Sequence, residues 1–475
     1  LTKKELARFL TNKYLFNNIS LKTRLKRHYQ HKELTSHVVG YINRINQKDI
    51  KLLTKNKRLS LYRGSDHIGK RGIEQRYENL IHGIPGFEKI EVDAKGNIIR
   101  TLEKKEPIHG QDIQLSIDIE LQKKAVDAFG ERKGALVALS PHNGEILAYV
   151  SQPYFNPNLF VNGIDHKNWN ILNTNKARPL LDRVTKGLYP PGSTIKPFIA
   201  IAGLENNLRV PPFQINDPGF FTMPNQSKTF RNWKRDGHGQ VDMVKAIAVS
   251  SDTFFYGLGL ELGLDKMNQT LKAYGFGHKT GIDILGEKKG LVANKEWKIK
   301  NKKERWYAGE TVITAIGQGF TLVTPIQLAN ATAKIALPYN QNYVSPHLLL
   351  NSNQLKQRND KLYTPPPNKK NTMSYIKEGM EAVTDSGGTA AFLKSGSYKI
   401  AAKTGTAQVF GLAGGEYVEE DLPEHLKDHA LFIAYAPAKK PKLVVAVIVE
   451  NGGSGGSAAG PIAKKVFDHY LLSNQ

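Results

Sequence analysis

The stretch Tyr189–Phe198, YPPGSTIKPF, decides how the rest of the chain is read. Pro190, Pro191 and Gly192 stop whatever precedes them, and STIKPFIAIAGLE then turns apolar with helical spacing. Ser193 is expected to open that helix, with Lys196 on the same face three residues later. A serine so placed has two chemical assets. A lysine amine can take its proton once burial lowers the amine's pKa. The N–H groups of a helix N-terminus can receive a developing oxyanion. Serine is also a preferred helix N-cap, so the spacing alone settles nothing. The chain repeats that spacing at Ser374 and Lys377, in SYIK. There the apolar positions Met373, Ile376, Met380 and Val383 face elsewhere, and Glu378 follows the lysine. The Lys377 amine is therefore expected to be solvated and protonated, whereas Lys196, followed by PFIAIAG, is expected in apolar surroundings.

Two further segments give the serine a context. In AVSSDTFFYGLG, Ser250 and Asp252 lie two apart before an apolar, aromatic run. A hydroxyl there can relay protons, and a carboxylate can hold a lysine or a substrate amide. A helix cap by Ser250, Ser251 or Asp252 explains the same residues. In KIAAKTGTAQV, alternation makes a strand that carries Lys403, Thr404, Gly405 and Thr406. Gly405 lets another backbone come close, and the strand edge can pair with an extended peptide. Lys403 can hold a carboxylate, or be a strand-end lysine with a solvated head. Lys394-Ser395-Gly396 has similar composition but no strand pattern through it. Each segment is weak alone. In this order they match the Ser-x-x-Lys, Ser-x-Asx and Lys-Thr-Gly set of serine acyl-enzymes, with Asp252 where asparagine is common.

Bulk properties agree with a large folded enzyme. A chain of 475 residues with 40% hydrophobic content suits two or three domains. The absence of cysteine excludes disulfides, thiolate nucleophiles and Cys-based zinc sites. The formal net charge is +24, and the first 105 residues hold 24 Lys and Arg against 10 Asp and Glu. Such a basic face suits an anionic surface or polymer. No RNA-binding signature or zinc-finger spacing accompanies it, so no nucleic-acid partner is expected. No run approaches 18 apolar residues, so no membrane span is expected in this sequence, nor a signal peptide.

The pattern divides near Glu106–Asp112 into a region 1–110 and a region 111–475. In the first, Thr2 caps a helix in LTKKELARFLTNKY, and GFEKIEVDAKGNIIRTL forms a hairpin around Lys95-Gly96. In the second, IQLSIDIELQKKAVDAF predicts a strand and an amphipathic helix, and GALVALSPHNGEILAYVS predicts two strands joined by Asn143-Gly144. Helices dominate from about 193 to 335. Strands follow in YKIAAKTGTAQV and HALFIAYAPAKKPKLVVAVIVENG, NGGSGGSAAG is a loop, and AGPIAKKVFDHYLL is a closing helix. Strands at both ends with helices between them predict one α/β (α+β) domain built on an antiparallel sheet.

From about residue 110 onward the chain resembles the transpeptidase domain of class B penicillin-binding proteins, and within them the rod-elongation branch of Gram-negative bacteria. GLYPPGSTIKPF, SSDTFFYGLG, AIGQGFTLVTPIQLA and KIAAKTGTAQVFG carry the resemblance. IGKRGIEQRYENLIHGIPGFE extends it into the basic N-terminal region, the pedestal of that family, here incomplete. NDPGFFTMPNQSKTFRNWKRDGHG is similar to a stretch typical of the elongation enzyme rather than the division enzyme.

The resemblance implies a penicillin-binding/serine β-lactamase-like fold and a peptidoglycan D,D-transpeptidase. Ser193 would attack the penultimate D-Ala carbonyl of a stem peptide and release the terminal D-Ala. Lys196 would be its general base, Ser250 would pass the proton on, and Lys403 would support it electrostatically. The backbone N–H groups of Ser193 and Thr406 would form the oxyanion hole. Thr404 and Thr406 would hold the donor's terminal carboxylate, with Asp252 and Gly405 also in the substrate site. An amine of a neighbouring stem peptide would then attack the acyl-enzyme, and β-lactams would stall it. No cofactor is implied. Some relatives hold zinc through two Asp, a His and a Cys, where this chain has Asp217, Asn232, His238 and Ser251. Asn232 and Ser251 are poor zinc ligands, so no metal is expected, and His238 is expected as a hydrogen-bonding loop residue. The resemblance further implies an inner-membrane anchor outside this sequence and a periplasmic catalytic domain. Implied partners are a membrane-embedded glycosyltransferase and rod-complex scaffold proteins. The alternatives sharing the nucleophile are a D-Ala-D-Ala carboxypeptidase, a β-lactamase or a β-lactam sensor. A non-catalytic cell-wall scaffold is the alternative of another class.

Overall fold

The computed structural model describes residues 2–16, 19, 26–62, 67–96, 98–224, 229–338, 341, 343–350, 370–408 and 423–473. Its centre is an antiparallel five-stranded sheet. The strands are β1 (Gly134–Leu139), β2 (Ile146–Gln152), β3 (Ala401–Ala407), β4 (His429–Ala436) and β5 (Leu443–Val449), in spatial order β3-β4-β5-β1-β2. Sequence neighbours thus form the two hairpins, and β5 joins the chain's two halves through Val445 opposite Ala138. The β1–β2 turn uses Gly144 at a positive φ of 76°, as Asn143-Gly144 predicts.

Both faces of the sheet are covered, which is why LVVAVIV is apolar at every position rather than alternating. Val444, Ala446 and Ile448 face the larger core, which includes α2 (Lys196–Glu205), α4 (Asp252–Ala273) and α5 (Pro325–Ala336). Val445 and Val447 face the other core, with α1 (Ile119–Phe129) and the closing helix α7 (Gly460–Leu472). Between α2 and α4 lie α3 (Met243–Ala248) and two small antiparallel ribbons, Ile215–Asp217 with Gly239–Val241 and Phe220–Thr222 with Thr229–Arg231. Helix α6 (Lys370–Ala382) precedes β3.

Three expectations need correction. Residues 113–117 make no strand. They run extended with a single bridge, Leu115 to Leu349, and end where Asp118 caps α1. The second half of NGGSGGSAAG winds into a π-helical turn, Gly455–Ala459, that leads into α7 and packs against β3. Ser193 does not open α2. It sits in a separate 3₁₀ turn, Gly192–Ile195, where the Lys196 backbone N–H donates to the Ser193 carbonyl; Pro197 has no N–H to make the α-helical bond to that carbonyl and fits instead in the first turn of α2.

In the basic region, Thr2 and Glu5 form a capping box on Lys3–Thr11. Phe87–Val92 pairs with Ile98–Lys105 in the expected hairpin. Part of this region packs into the large core through Val38, Ile73 and Tyr77. The Tyr77 hydroxyl donates to Asp283 at 2.9 Å, and Gln122 donates to the Leu34 carbonyl at 2.9 Å.

Candidate active site

The 3₁₀ turn holding Ser193 lies directly on β3. Gly192 has φ +50°, and a Cβ there would stand 2.5 Å from the Thr406 carbonyl oxygen. A Cβ on Gly405 would stand 2.7 Å from the Thr194 methyl. The two glycines thus let two backbones touch, and Ser193 is placed beside Thr406 as a result. The turn makes no side-chain cap bond, so the capping explanation for Ser193 fails.

Lys196 opens α2 and is fully buried. Its Nζ donates to Asp252 Oδ1 at 2.7 Å, to the Ser250 carbonyl at 2.8 Å and to Ser250 Oγ at 3.1 Å. Burial pushes its pKa below the ordinary lysine value, and the Asp252 carboxylate opposes that shift. Ser250 occupies the left-handed region at φ +58°, in the three-residue break between α3 and α4. Of the three residues offered as a cap, Ser251 is the one used, accepting the Phe254 N–H at 3.1 Å. Ser250 and Asp252 are left to the lysine.

Lys403 is fully buried, and its Nζ donates to the Thr404 carbonyl at 3.0 Å. Burial first, then the nearby Lys196 charge, hold its pKa well below the ordinary value. A solvated strand-end head is therefore ruled out. Thr404 Oγ1 and Thr389 Oγ1 share a 2.9 Å hydrogen bond, and Gln318 donates to the Thr406 carbonyl at 3.2 Å.

These residues converge on a cavity of about 970 Å³. Ser193, Ser250, Asp252, Thr404, Gly405 and Thr406 line it, and all six were named from the sequence. Lys196 and Lys403 are buried behind that lining. Sequence reasoning missed the rest of the wall, above all Arg231, Trp233, Tyr256, Gln318 and Asp428. Gln318 lies inside AIGQGF, where a motif signal existed. Asp428 had none, although its Oδ1 is buried without a hydrogen-bond partner among the described residues.

The decoys separate cleanly. Ser374 is exposed and Lys394 lies in an exposed turn. Lys377, however, is not solvated. Its Nζ donates to the carbonyls of Ala336 and Leu337 at 3.1 and 2.8 Å, capping the C-terminus of α5, and burial lowers its pKa. That bonding makes it a structural lysine. Ser374→Ala is expected to leave fluorescent-penicillin labelling within twofold of the parent rate, measured by gel fluorescence.

The four zinc-equivalent positions also meet, but as a hydrogen-bonded cluster. Asp217 Oδ2 accepts from Ser251 Oγ at 2.7 Å and Asn232 Nδ2 at 2.8 Å, and Oδ1 accepts the Gly219 N–H at 2.9 Å. An amide and a hydroxyl already committed to a carboxylate do not fit a zinc ion. The backbone N–H of His238 donates to the Asp217 carbonyl, while its Nε2 is buried without a hydrogen-bond partner among the described residues. Its carbonyl accepts from Lys245 Nζ at 3.0 Å, so His238 hydrogen-bonds through its backbone rather than at Nε2.

Residues 134–468 match the penicillin-binding protein transpeptidase domain, and residues 1–115 match the penicillin-binding protein dimerisation domain. The whole chain is 45% identical to the peptidoglycan D,D-transpeptidase MrdA of Acinetobacter baumannii, spanning 70% of that protein. It is 37% identical to MrdA of Escherichia coli, spanning 76% of it. Among solved structures, Pseudomonas aeruginosa PBP2 in complex with WCK 5153 is similar at a TM-score of 0.81 and 40% identity, over 96% of this chain and 92% of that one. The Helicobacter pylori PBP2–MreC complex is similar at 0.88 and 34% identity, over 100% and 84%. The likeness expected to the rod-elongation branch is therefore real: the chain belongs to the penicillin-binding proteins, with the transpeptidase domain of that family.

Proposed function

We propose that this chain is a peptidoglycan D,D-transpeptidase and that Ser193 is its acyl-enzyme nucleophile. One observation carries the assignment of roles. The buried Lys196 amine is bonded to Ser250 Oγ and Asp252, behind a cavity that Ser193 shares with the Thr404–Thr406 edge. An extended donor peptide laid along β3 would present its terminal carboxylate to Thr404 and Thr406. Ser193 Oγ would attack the penultimate D-Ala carbonyl carbon and lose its proton to the neutral Lys196 amine. The N–H groups of Ser193 and Thr406 would receive the oxyanion. Ser250 would pass the proton to the leaving D-Ala nitrogen as the peptide bond breaks. An acceptor amine would then attack the ester, return a proton to the same relay and free Ser193. Lys403, adjacent and cationic when protonated, would favour the neutral form of Lys196.

A signed pH prediction follows. Acylation needs the neutral Lys196 amine, so its rate should rise with pH through the Lys196 ionisation. Asp252 favours the ammonium form. Asp252→Asn should therefore lower that pKa further and move the rise to lower pH, read from penicillin acylation rates between pH 5 and pH 10. A move to higher pH would contradict the assignment. A β-lactamase reading is separated by deacylation: the penicilloyl adduct should persist for many minutes rather than turn over in seconds.

The domain boundary is placed near residue 110, with the pedestal before it. Its hairpin exposes Phe87, Ile90, Val92, Ile98, Ile99 and Leu102, an apolar surface that supports a protein partner. A scaffold of the MreC kind and a glycosyltransferase fit this role, since relatives were solved with MreC and within a peptidoglycan synthase complex. Among the described residues no helix is long and apolar enough to cross a membrane. Inner-membrane attachment with a periplasmic catalytic domain is the family's arrangement and is proposed here on that basis.

A further inference from the structure

We infer that Asp217 is a positioning residue for the acylation chemistry, acting through a buried hydrogen-bonded clasp that holds the Ser250–Asp252 turn without a metal. The inference rests on the transpeptidase reading above and goes beyond its motifs. Asp217, Asn232, Ser251 and Asp252 are all buried, at 1%, 4%, 0% and 8% exposure, so their polar atoms need partners within the protein.

The bonds form one continuous path. Asp217 Oδ2 accepts from Asn232 Nδ2 and Ser251 Oγ. Asn232 Oδ1 in turn accepts the backbone N–H of Asp252 at 3.1 Å. The next residue, Trp233, donates its backbone N–H to Asp252 Oδ2 at 3.0 Å, and its indole N–H to the Val249 carbonyl at 3.1 Å. That leaves Asp252 Oδ1 for Lys196. The ribbon ending at Arg231 is thus fastened to the turn on both sides of Ser250. The fastening matters because Ser250 sits at a positive φ, a conformation that persists only where the surroundings fix it.

Both carboxylate oxygens of Asp217 are engaged as acceptors. Its two oxygens accept three donors, from Gly219, Asn232 and Ser251. An asparagine there must point its NH₂ at one of those donors whichever way the amide is turned. Asp217→Asn therefore breaks at least one buried bond while keeping shape. Exchanging the groups, Asp217→Asn with Asn232→Asp, restores a donor–acceptor pair between the two positions and still offers an acceptor to the Asp252 N–H.

The test uses stopped-flow acylation by a fluorescent penicillin, separating the chemical rate constant from the initial binding constant and from the labelled fraction. Asp217→Asn is expected to lower the chemical rate constant by roughly 10- to 100-fold with binding changed less than threefold. The exchange variant is expected to recover to within about fivefold of the parent. Ser251→Ala, which removes one donor to Asp217 and the cap of α4 but leaves the carboxylate, is expected to lower the rate constant less than Asp217→Asn. A purely structural role would lower the labelled fraction and leave the rate constant of the labelled molecules alone. A single variant within threefold of the parent, or an exchange variant no better than the single, overturns the inference. If the parent itself fails to label, the transpeptidase reading fails instead. Elemental analysis is the second readout. Less than a tenth of a zinc per chain, with a Tm unmoved by chelator, is expected. One tightly held zinc with a chelator-sensitive Tm would overturn the metal-free clasp.

Discussion

Lys196→Ala is expected to slow penicillin acylation by about a thousandfold or more, the range open to a well-placed general base. The amine is fully buried and makes three hydrogen bonds, all to the Ser250–Asp252 turn. Removing it takes away the proton acceptor and strands the Asp252 carboxylate, whose Oδ1 loses its cationic partner. Breaking a buried pair from one side costs about 3–5 kcal/mol, so the variant should also lose stability. The two effects can be pulled apart. Lys196→Met with Asp252→Asn replaces the pair by neutral groups of similar size. It should regain most of the lost Tm in a thermal melt while acylation stays a thousandfold down. Recovery of rate alongside stability would mean that Lys196 serves the fold and not the chemistry.

Gly192→Ala is expected to cost about a hundredfold in acylation. Two physical terms act together. A non-glycine residue at φ +50° pays roughly 1–2 kcal/mol. Its methyl would also stand 2.5 Å from the Thr406 carbonyl oxygen, far inside contact distance. The cheapest relief is to move the Ser193 turn away from β3, which separates the nucleophile from the Thr406 N–H. A displacement of about 1 Å is enough for a hundredfold loss. A binding constant for penicillin and an acylation rate constant, measured on the same variant, should show the loss in the rate. An unchanged rate would show that the close approach of turn and strand is not needed.

Much of this was written in short-range pattern. Period-2 runs marked the strands, Asn143-Gly144 marked the hairpin, and three small motifs in order marked the cavity wall. What escaped was made by long-range pairing. Lys377 looked solvated because its sequence neighbours are polar, yet the carbonyls it caps come from Ala336 and Leu337, about forty residues away. Asp217 and Asn232 gave no sign of supporting Asp252, since only the fold of two three-residue ribbons brings them to it. Asp428 joins the cavity through the register of β4, which no local pattern encodes. Ser193 is presented by a 3₁₀ turn and not by the helix start that the sequence pattern predicts.

The central claim is that one serine, Ser193, carries the acyl group. Peptide mapping by mass spectrometry after saturation with a β-lactam tests it directly. One adduct per chain on the peptide holding Ser193, none on that holding Ser374, and none at all in Ser193→Ala with an unchanged Tm are expected. An adduct on any other serine, or labelling of Ser193→Ala at the parent rate, would contradict the account.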